Sequence, residues 1–233
     1  RDLRLFYNID VKENIYMSDI NSFSFEFSNN ADESTEGISF LKIEIDKIPS
    51  KYNDVIESYF VDLNLNKNNF FTDISNYISY ETGQPTHCYD SSKINEPIRL
   101  DFLDKDSKFD TLLGKVIDIK KNDLVFFDRF NEVINLAGVV GSNNTSCSNN
   151  TKSIIVECAH FDSELIMGKS VRYGINSDAA HKFERNVDPC CHEYVLRRFL
   201  YIIQEHTNIT NVQIFTKKYS QSKSNLIEFD SDK

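Results

Sequence analysis

The stretch Ser153-Ile154-Ile155-Val156-Glu157-Cys158-Ala159-His160-Phe161 is an apolar strand that carries one carboxylate in its middle. It closes a run of segments patterned as strands, at about residues 98–103, 111–119, 124–128, 133–140 and 153–159. Lys121-Asn122-Asp123 and Arg129–Glu132 punctuate the run, and Gly141–Asn150 hangs between its last two members as a polar loop. Upstream, Leu41, Ile43 and Ile45 alternate with Lys42 and Glu44, the pattern of a half-buried strand. Pro49-Ser50 then opens a helix with Val55, Ile56, Tyr59, Phe60 and Leu63 on one face, and a second helix runs from Phe71 to Tyr80. Downstream a helix is expected at about 162–172. Asp188-Pro189 starts another, which buries Val195, Leu196, Phe199, Ile202 and Ile203. Strands at about 211–219 and 224–228 close the chain. Helices, a block of strands, then helices again predict an α+β fold: a mixed β-sheet packed with helices, in two intimately associated subdomains. The expected divisions are a polar lead-in at 1–37, in which only Phe23, Phe25 and Phe27 alternate like an edge strand, a main domain at 38–210, and C-terminal strands with a linker at 211–233.

Composition narrows the function. With 233 residues, 40% of them hydrophobic and 18 Phe, the chain can fill a globular core. Nothing approaches the about 18 consecutive apolar residues that span a bilayer, so no membrane partner is expected. The start without Met and the polar end suggest a piece of a longer protein. A net charge of −10 argues against a stand-alone nucleic-acid binder, although Lys169, Arg172, Lys182, Arg185, Arg197 and Arg198 gather against only four acids over 169–198. Five cysteines without repeating spacing suit free thiols in a reducing compartment. The sequons at Asn143, Asn149 and Asn208 match chance in an Asn-rich chain. Glycine-rich phosphate loops are absent. Cys190-Cys191-His192 is too contiguous for tetrahedral zinc, so no metal site is expected. Cys158 beside His160 reads as a buried structural cysteine rather than a nucleophile.

Three stretches resist a purely structural reading. Asp73-Ile74-Ser75-Asn76-Tyr77 is followed by Glu81-Thr82-Gly83-Gln84-Pro85-Thr86-His87-Cys88-Tyr89-Asp90, which holds His87 in a rigid turn after a helix. Asn135-Leu136-Ala137-Gly138-Val139-Val140-Gly141 ends a strand in small residues, where either a ligand approaches the backbone or the chain makes a tight exit. The third joins the Glu157 strand to the run Asn176-Ser177-Asp178-Ala179-Ala180-His181-Lys182-Phe183-Glu184-Arg185-Asn186-Val187-Asp188-Pro189. Glu157 must be paired, protonated or facing a cleft, because a free buried charge is too costly.

In these motifs, in their order and spacing from about Phe40 to His206, the chain resembles the editing region of the bacterial-type phenylalanyl-tRNA synthetase β subunit, that subunit's third and fourth domains. The resemblance implies a fragment of a phenylalanine–tRNA ligase whose 38–210 domain hydrolyses tyrosine wrongly attached to phenylalanine tRNA. It implies that Glu157 recognises the tyrosine hydroxyl, with Gly141 and Ala179 also in the substrate pocket. His87 and Ser177 fall on the family's catalytic positions. The family usually has threonine at 177, glycine at 142 and glycine at 186; here these are Ser177, Ser142 and Asn186. The implied partners are tyrosine-carrying phenylalanine tRNA, the rest of the β subunit and an α subunit in an α2β2 heterotetramer, in the cytoplasm or an organelle. No cofactor is implied for the fragment, ATP and magnesium being used by the complete synthetase. The competing expectations are a non-catalytic bracing and tRNA-positioning module with a decayed site, and a secreted glycoprotein domain.

Overall fold

The computed structural model describes residues 14–218. Its strands are β1 (Asn21–Ser22), β2 (Phe27–Asn29), β3 (Gly37–Ile45), β4 (Thr86–Asp90), β5 (Ile98–Phe102), β6 (Ser107–Asp110), β7 (Val116–Ile119), β8 (Leu124–Phe127), β9 (Val133–Leu136), β10 (Val140–Gly141), β11 (Ser153–Ala159) and β12 (Ile209–Lys218). Its α-helices are α1 (Asp54–Asp62), α2 (Phe70–Thr82), α3 (Ser163–Ile166), α4 (Lys169–Tyr173), α5 (Asp178–Phe183) and α6 (His192–His206). The first sheet has the order β1-β12-β3-β11-β4 and the second β10-β9-β8-β5-β2, with β6 and β7 paired as a separate hairpin. Both five-stranded sheets are mixed, because β1 joins β12 and β2 joins β5 in parallel while the other pairs are antiparallel. The expected α+β class, mixed sheets packed with helices, is the one observed.

The first sheet is the middle layer, and its strands show why. In β11, Ile154, Val156 and Cys158 join one core with β3 residues Leu41, Ile43 and Ile45 and with helices α1, α2 and α6. Ile155 and Ala159 point the other way, into a second core built with Phe40, Tyr89 and the second sheet. Glu157 shares that second face. Period-two alternation thus aims a single carboxylate at the space between the sheets. Full burial of Phe40, Phe126 and Phe161 fills that space, each worth about 1.5–3 kcal/mol.

Helix ends follow local chemistry. Asn69 caps α2 by accepting from the Thr72 N–H, and Gly83 ends it at φ 80°. On α6, Val195, Leu196, Phe199, Ile202 and Ile203 are all fully buried, as their spacing predicts.

Several boundaries differ from the sequence expectation. The helix expected at 162–172 is two short helices, because Gly168 at φ 74° breaks the helical path between them. The strand expected at 111–119 is the turn of the β6–β7 hairpin, with Gly114 at φ 71°, followed by β7 alone, and the one expected at 133–140 is interrupted at Gly138, φ 70°. Helix α1 starts at Asp54 under an Asn53 cap rather than at Pro49-Ser50, and only Ile56 and Phe60 of its predicted face are buried; Val55 and Leu63 are exposed. Helix α6 starts at His192, since Asp188 accepts from the Cys190 N–H in a turn that precedes it. His87 sits in strand β4, just past the turn predicted to hold it. Phe25 is buried in the inter-sheet core with Phe23 and Phe27 packed on it, so part of the lead-in is core material. The strand expected at 224–228 lies outside the described residues.

Candidate functional site

Glu157 lies mid-strand in β11, with Phe40 of β3 opposite on one side and His87 of β4 on the other. Two ladders hold its backbone, so its side chain can only face the gap between the sheets. There it is 5% exposed. Its partner within the protein is Tyr89, whose hydroxyl donates to Oε2 at 2.5 Å. Asn135 of β9 donates from Nδ2 to the Tyr89 oxygen at 2.8 Å and, at 3.4 Å, to the same carboxylate oxygen. Burial raises the Glu157 carboxyl to about 7, against the lowering effect of these two donors.

His87 and Tyr89 are two apart on β4 and share a face, their rings edge-on with centroids 4.4 Å apart. The His87 ring lies directly under Gly141: a Cβ there would fall 2.3 Å from Cε1 and 2.5 Å from Nε2. Gly141 is glycine because the imidazole occupies the volume that any side chain would need. Gly138 is constrained twice, by its positive φ and by Ile166, whose Cδ1 would be 2.9 Å from an added Cβ. The small-residue stretch is therefore shaped by close packing of the protein on itself, and what space remains forms the cavity. His87 Nε2 is buried without a hydrogen-bond partner, and burial lowers the ring to about 4, so it is neutral near pH 7.

The cavity is small, about 50 Å³, and is lined by His87, Asn135, Gly141, Glu157, Ala179 and Phe183, with Pro85, Thr86, Gly138, Val139 and Val140. Of the residues predicted for the site, His87, Gly141, Glu157 and Ala179 line it together. Ser177 does not. Its hydroxyl caps α5, accepting from the Ala180 N–H at 3.1 Å and donating to the Val139 carbonyl at 2.6 Å. Those two hydrogen bonds tie the start of α5 to the Val139 strand exit, and Ala179 lines the cavity from that helix. A broader groove of about 500 Å³ shares Pro85, Thr86 and Ala179 with the cavity and continues past Tyr59, Tyr80 and Lys182.

Sequence reasoning gave no role to Tyr89 or Asn135, although both lie inside the quoted stretches. The signal for Tyr89 was the strand period from His87; Asn135 had none, because its proximity depends on how the second sheet packs. Cys158 is fully buried and its thiol pushed well above its ordinary value, consistent with a structural role. All five cysteines are free. Among the described residues no group of three or more His, Cys, Asp or Glu is arranged to hold a metal, and no helix is long and apolar enough to cross a membrane. Asn186, where glycine is usual in the family resembled, adopts φ 64°, a conformation Asn tolerates.

Comparison with known proteins bears on this arrangement. Residues 52–208 match the B3/4 domain family. The phenylalanine–tRNA ligase β subunit of Colwellia psychrerythraea is 33% identical over 126 residues, 54% of this chain and 16% of that protein. Those of Legionella pneumophila and Bartonella henselae are 35% identical over 126 residues and 36% identical over 121 residues, covering 16% and 15% of those proteins. The chain thus spans about a sixth of the length of the relatives it matches. An N-terminal fragment of the phenylalanyl-tRNA synthetase β subunit from Pyrococcus horikoshii superposes with a TM-score of 0.51 at 10% identity, over 86% of this chain and 53% of that one, a likeness of fold.

Proposed function

Because the chain belongs to the B3/4 domain family, we propose that its inter-sheet cavity hydrolyses tyrosine from wrongly charged phenylalanine tRNA. The observation that carries this reading is a lone buried carboxylate, Glu157, in the wall of a cavity otherwise lined by apolar residues with Thr86, His87 and Asn135. Tyrosine exceeds phenylalanine by one hydroxyl, and an apolar synthetic pocket rejects an added hydroxyl poorly. A second site must detect that hydroxyl. An ionised Glu157 accepts a short O–H···O⁻ bond from it. Phenylalanine leaves the carboxylate oxygen that Tyr89 does not occupy without a donor, at a cost of roughly 1–3 kcal/mol, which is about ten- to hundredfold in discrimination.

The chemistry is hydrolysis of an ester, needing a held water and a polarised carbonyl rather than a strong nucleophile. Neutral His87 is suited to hydrogen-bond that water. Its low proton affinity makes it a poor base, and the tRNA's own terminal ribose hydroxyl is the better candidate to help deprotonate it. Ser177 acts by positioning Ala179, not by touching substrate. The adjoining groove gives the ester's nucleotide a way out of the cavity. Supply of tRNA affinity falls to the rest of a β subunit and to an α subunit in an α2β2 synthetase, since this chain carries −10 overall.

One observation favours a second reading, a bracing module with an inactive site: Oε2 of Glu157 already has a donor in Tyr89. Deacylation of tyrosyl- and phenylalanyl-tRNA by the complete synthetase separates the two. Glu157→Ala is expected to lose about tenfold or more of the tyrosine preference, and Ala179→Trp to block release by filling the cavity. Slow tyrosine release by the wild type, unchanged in both variants, would establish the inactive module instead.

A further inference from the structure

Resting on the editing reading, we infer that Tyr89 is a positioning residue for specificity: its hydroxyl, oriented by Asn135, occupies one oxygen of Glu157 and leaves the other as the acceptor for a substrate phenol. The orientation follows from the donor order. The Asn135 amide donates to the Tyr89 oxygen at 2.8 Å, so the Tyr89 proton points onward, to Glu157 Oε2 at 2.5 Å. Turning the amide over would set its carbonyl against the carboxylate, acceptor to acceptor. A chain of donors in a dry site polarises along its length, which strengthens its last bond.

Nothing else among the described residues donates to the carboxylate, and none donates to Oε1. The groups around Glu157 explain why this matters. From β4 come neutral His87 and Tyr89, from β9 the uncharged Asn135, from β3 Phe40, and from α5 Ala179 and Phe183. No lysine or arginine lines the cavity. Tyr89 and Asn135 therefore do what a cation does elsewhere: they hold negative charge on a carboxylate that burial works to neutralise. They also lock its rotamer, so the free oxygen meets the ring's hydroxyl without reorganisation. The His87 ring, pinned under Gly141, braces Tyr89 from the side.

The test is Tyr89→Phe, which removes one oxygen and keeps the ring, in two measurements. The first follows the Glu157 carboxyl by isotope-edited infrared titration of the whole chain, with Glu157→Gln as the blank. Loss of one charge-assisted hydrogen bond is expected to raise its proton affinity by roughly tenfold or more. The second is the ratio of tyrosine to phenylalanine release by the complete synthetase across pH. That ratio is expected to fall about tenfold near pH 7, to recover as pH rises, and to be unchanged by Tyr89→Phe when Glu157→Gln is already present. An unaltered carboxyl titration overturns the inference, and so does an equal loss of both release rates at every pH. A wild type that releases no tyrosine would defeat the editing reading alone, because the titration judges the Tyr89–Glu157 link without any activity.

Discussion

Glu157 and His87 face one cavity, and burial pushes both toward their neutral forms, which makes their effects on stability opposite in pH. Glu157 is held at about 7 against an ordinary 4.5. Its stabilising effect is complete below pH 4.5 and is lost as pH rises to about 7. His87 is held at about 4 against 6.5, so its contribution is complete above 6.5 and lost as pH falls to about 4. Each difference corresponds to roughly 3 kcal/mol, and between about 4.5 and 6.5 the two slopes cancel. Glu157→Gln is therefore expected to stabilise the chain by about 1–3 kcal/mol at pH 8 and to expose a stability that rises from pH 4 to 6.5. Urea unfolding at several pH values measures this, and a flat, unshifted profile for the variant would contradict it. Gly141→Ala offers a second residue-scale outcome. Its Cβ and the His87 ring claim the same space, so the ring must move. A loss of roughly 1–3 kcal/mol is expected, as for overpacking generally, with a changed imidazole NMR signal for His87. A variant as stable as the wild type with an unmoved ring would refute the packing argument.

At the scale of elements, the site is an agreement between short pieces. Helix α5 has six residues and no amphipathic length to hold it in place. Ser177 supplies the hold, bonding the helix start and the Val139 carbonyl together. Ser177→Ala is expected to cost about 1–2 kcal/mol, with Ser177→Thr restoring most of it, and to weaken tyrosine release through displacement of Ala179. Denaturation of the three proteins, beside their deacylation rates, tests this; full activity in the alanine variant would remove Ser177 from the site altogether. Element types were legible where a local pattern repeats: the α6 face, the α2 helix with its Gly83 stop, and β11. Boundaries were not legible where one glycine carries the decision. The single helix expected at 162–172 is divided by the positive φ of Gly168. The positive φ of Gly138 likewise divides 133–140.

Across the whole molecule, the two sheets must keep their separation for the cavity to exist. Phe40 and Phe126 fill the space beside it, their rings perpendicular with centroids 6.5 Å apart. Phe40→Ala is expected to cost about 3–5 kcal/mol and to collapse or flood the site, read out by calorimetry and by loss of the Tyr/Phe preference together; a variant keeping both would place the spacing elsewhere. The family resemblance implied that Glu157, His87, Gly141 and Ala179 belong to one place; the pairing of β4 with β11 sets His87 beside Glu157, and the second sheet and helix α5 bring Gly141 and Ala179 to the same cavity. Sequence by itself determined the α+β class, the buried faces and the aim of Glu157, because period-two and helical patterns are properties of neighbouring residues. Only the tertiary structure decided that the carboxylate has a partner in Tyr89, 68 residues away, and in Asn135, 22 residues away on the other sheet. It also decided that Gly141 makes room for the His87 ring and that Ser177 is a cap. Those facts depend on sheet register and on how one sheet packs over the other, and no short-range pattern encodes which distant side chains will share the space between two sheets.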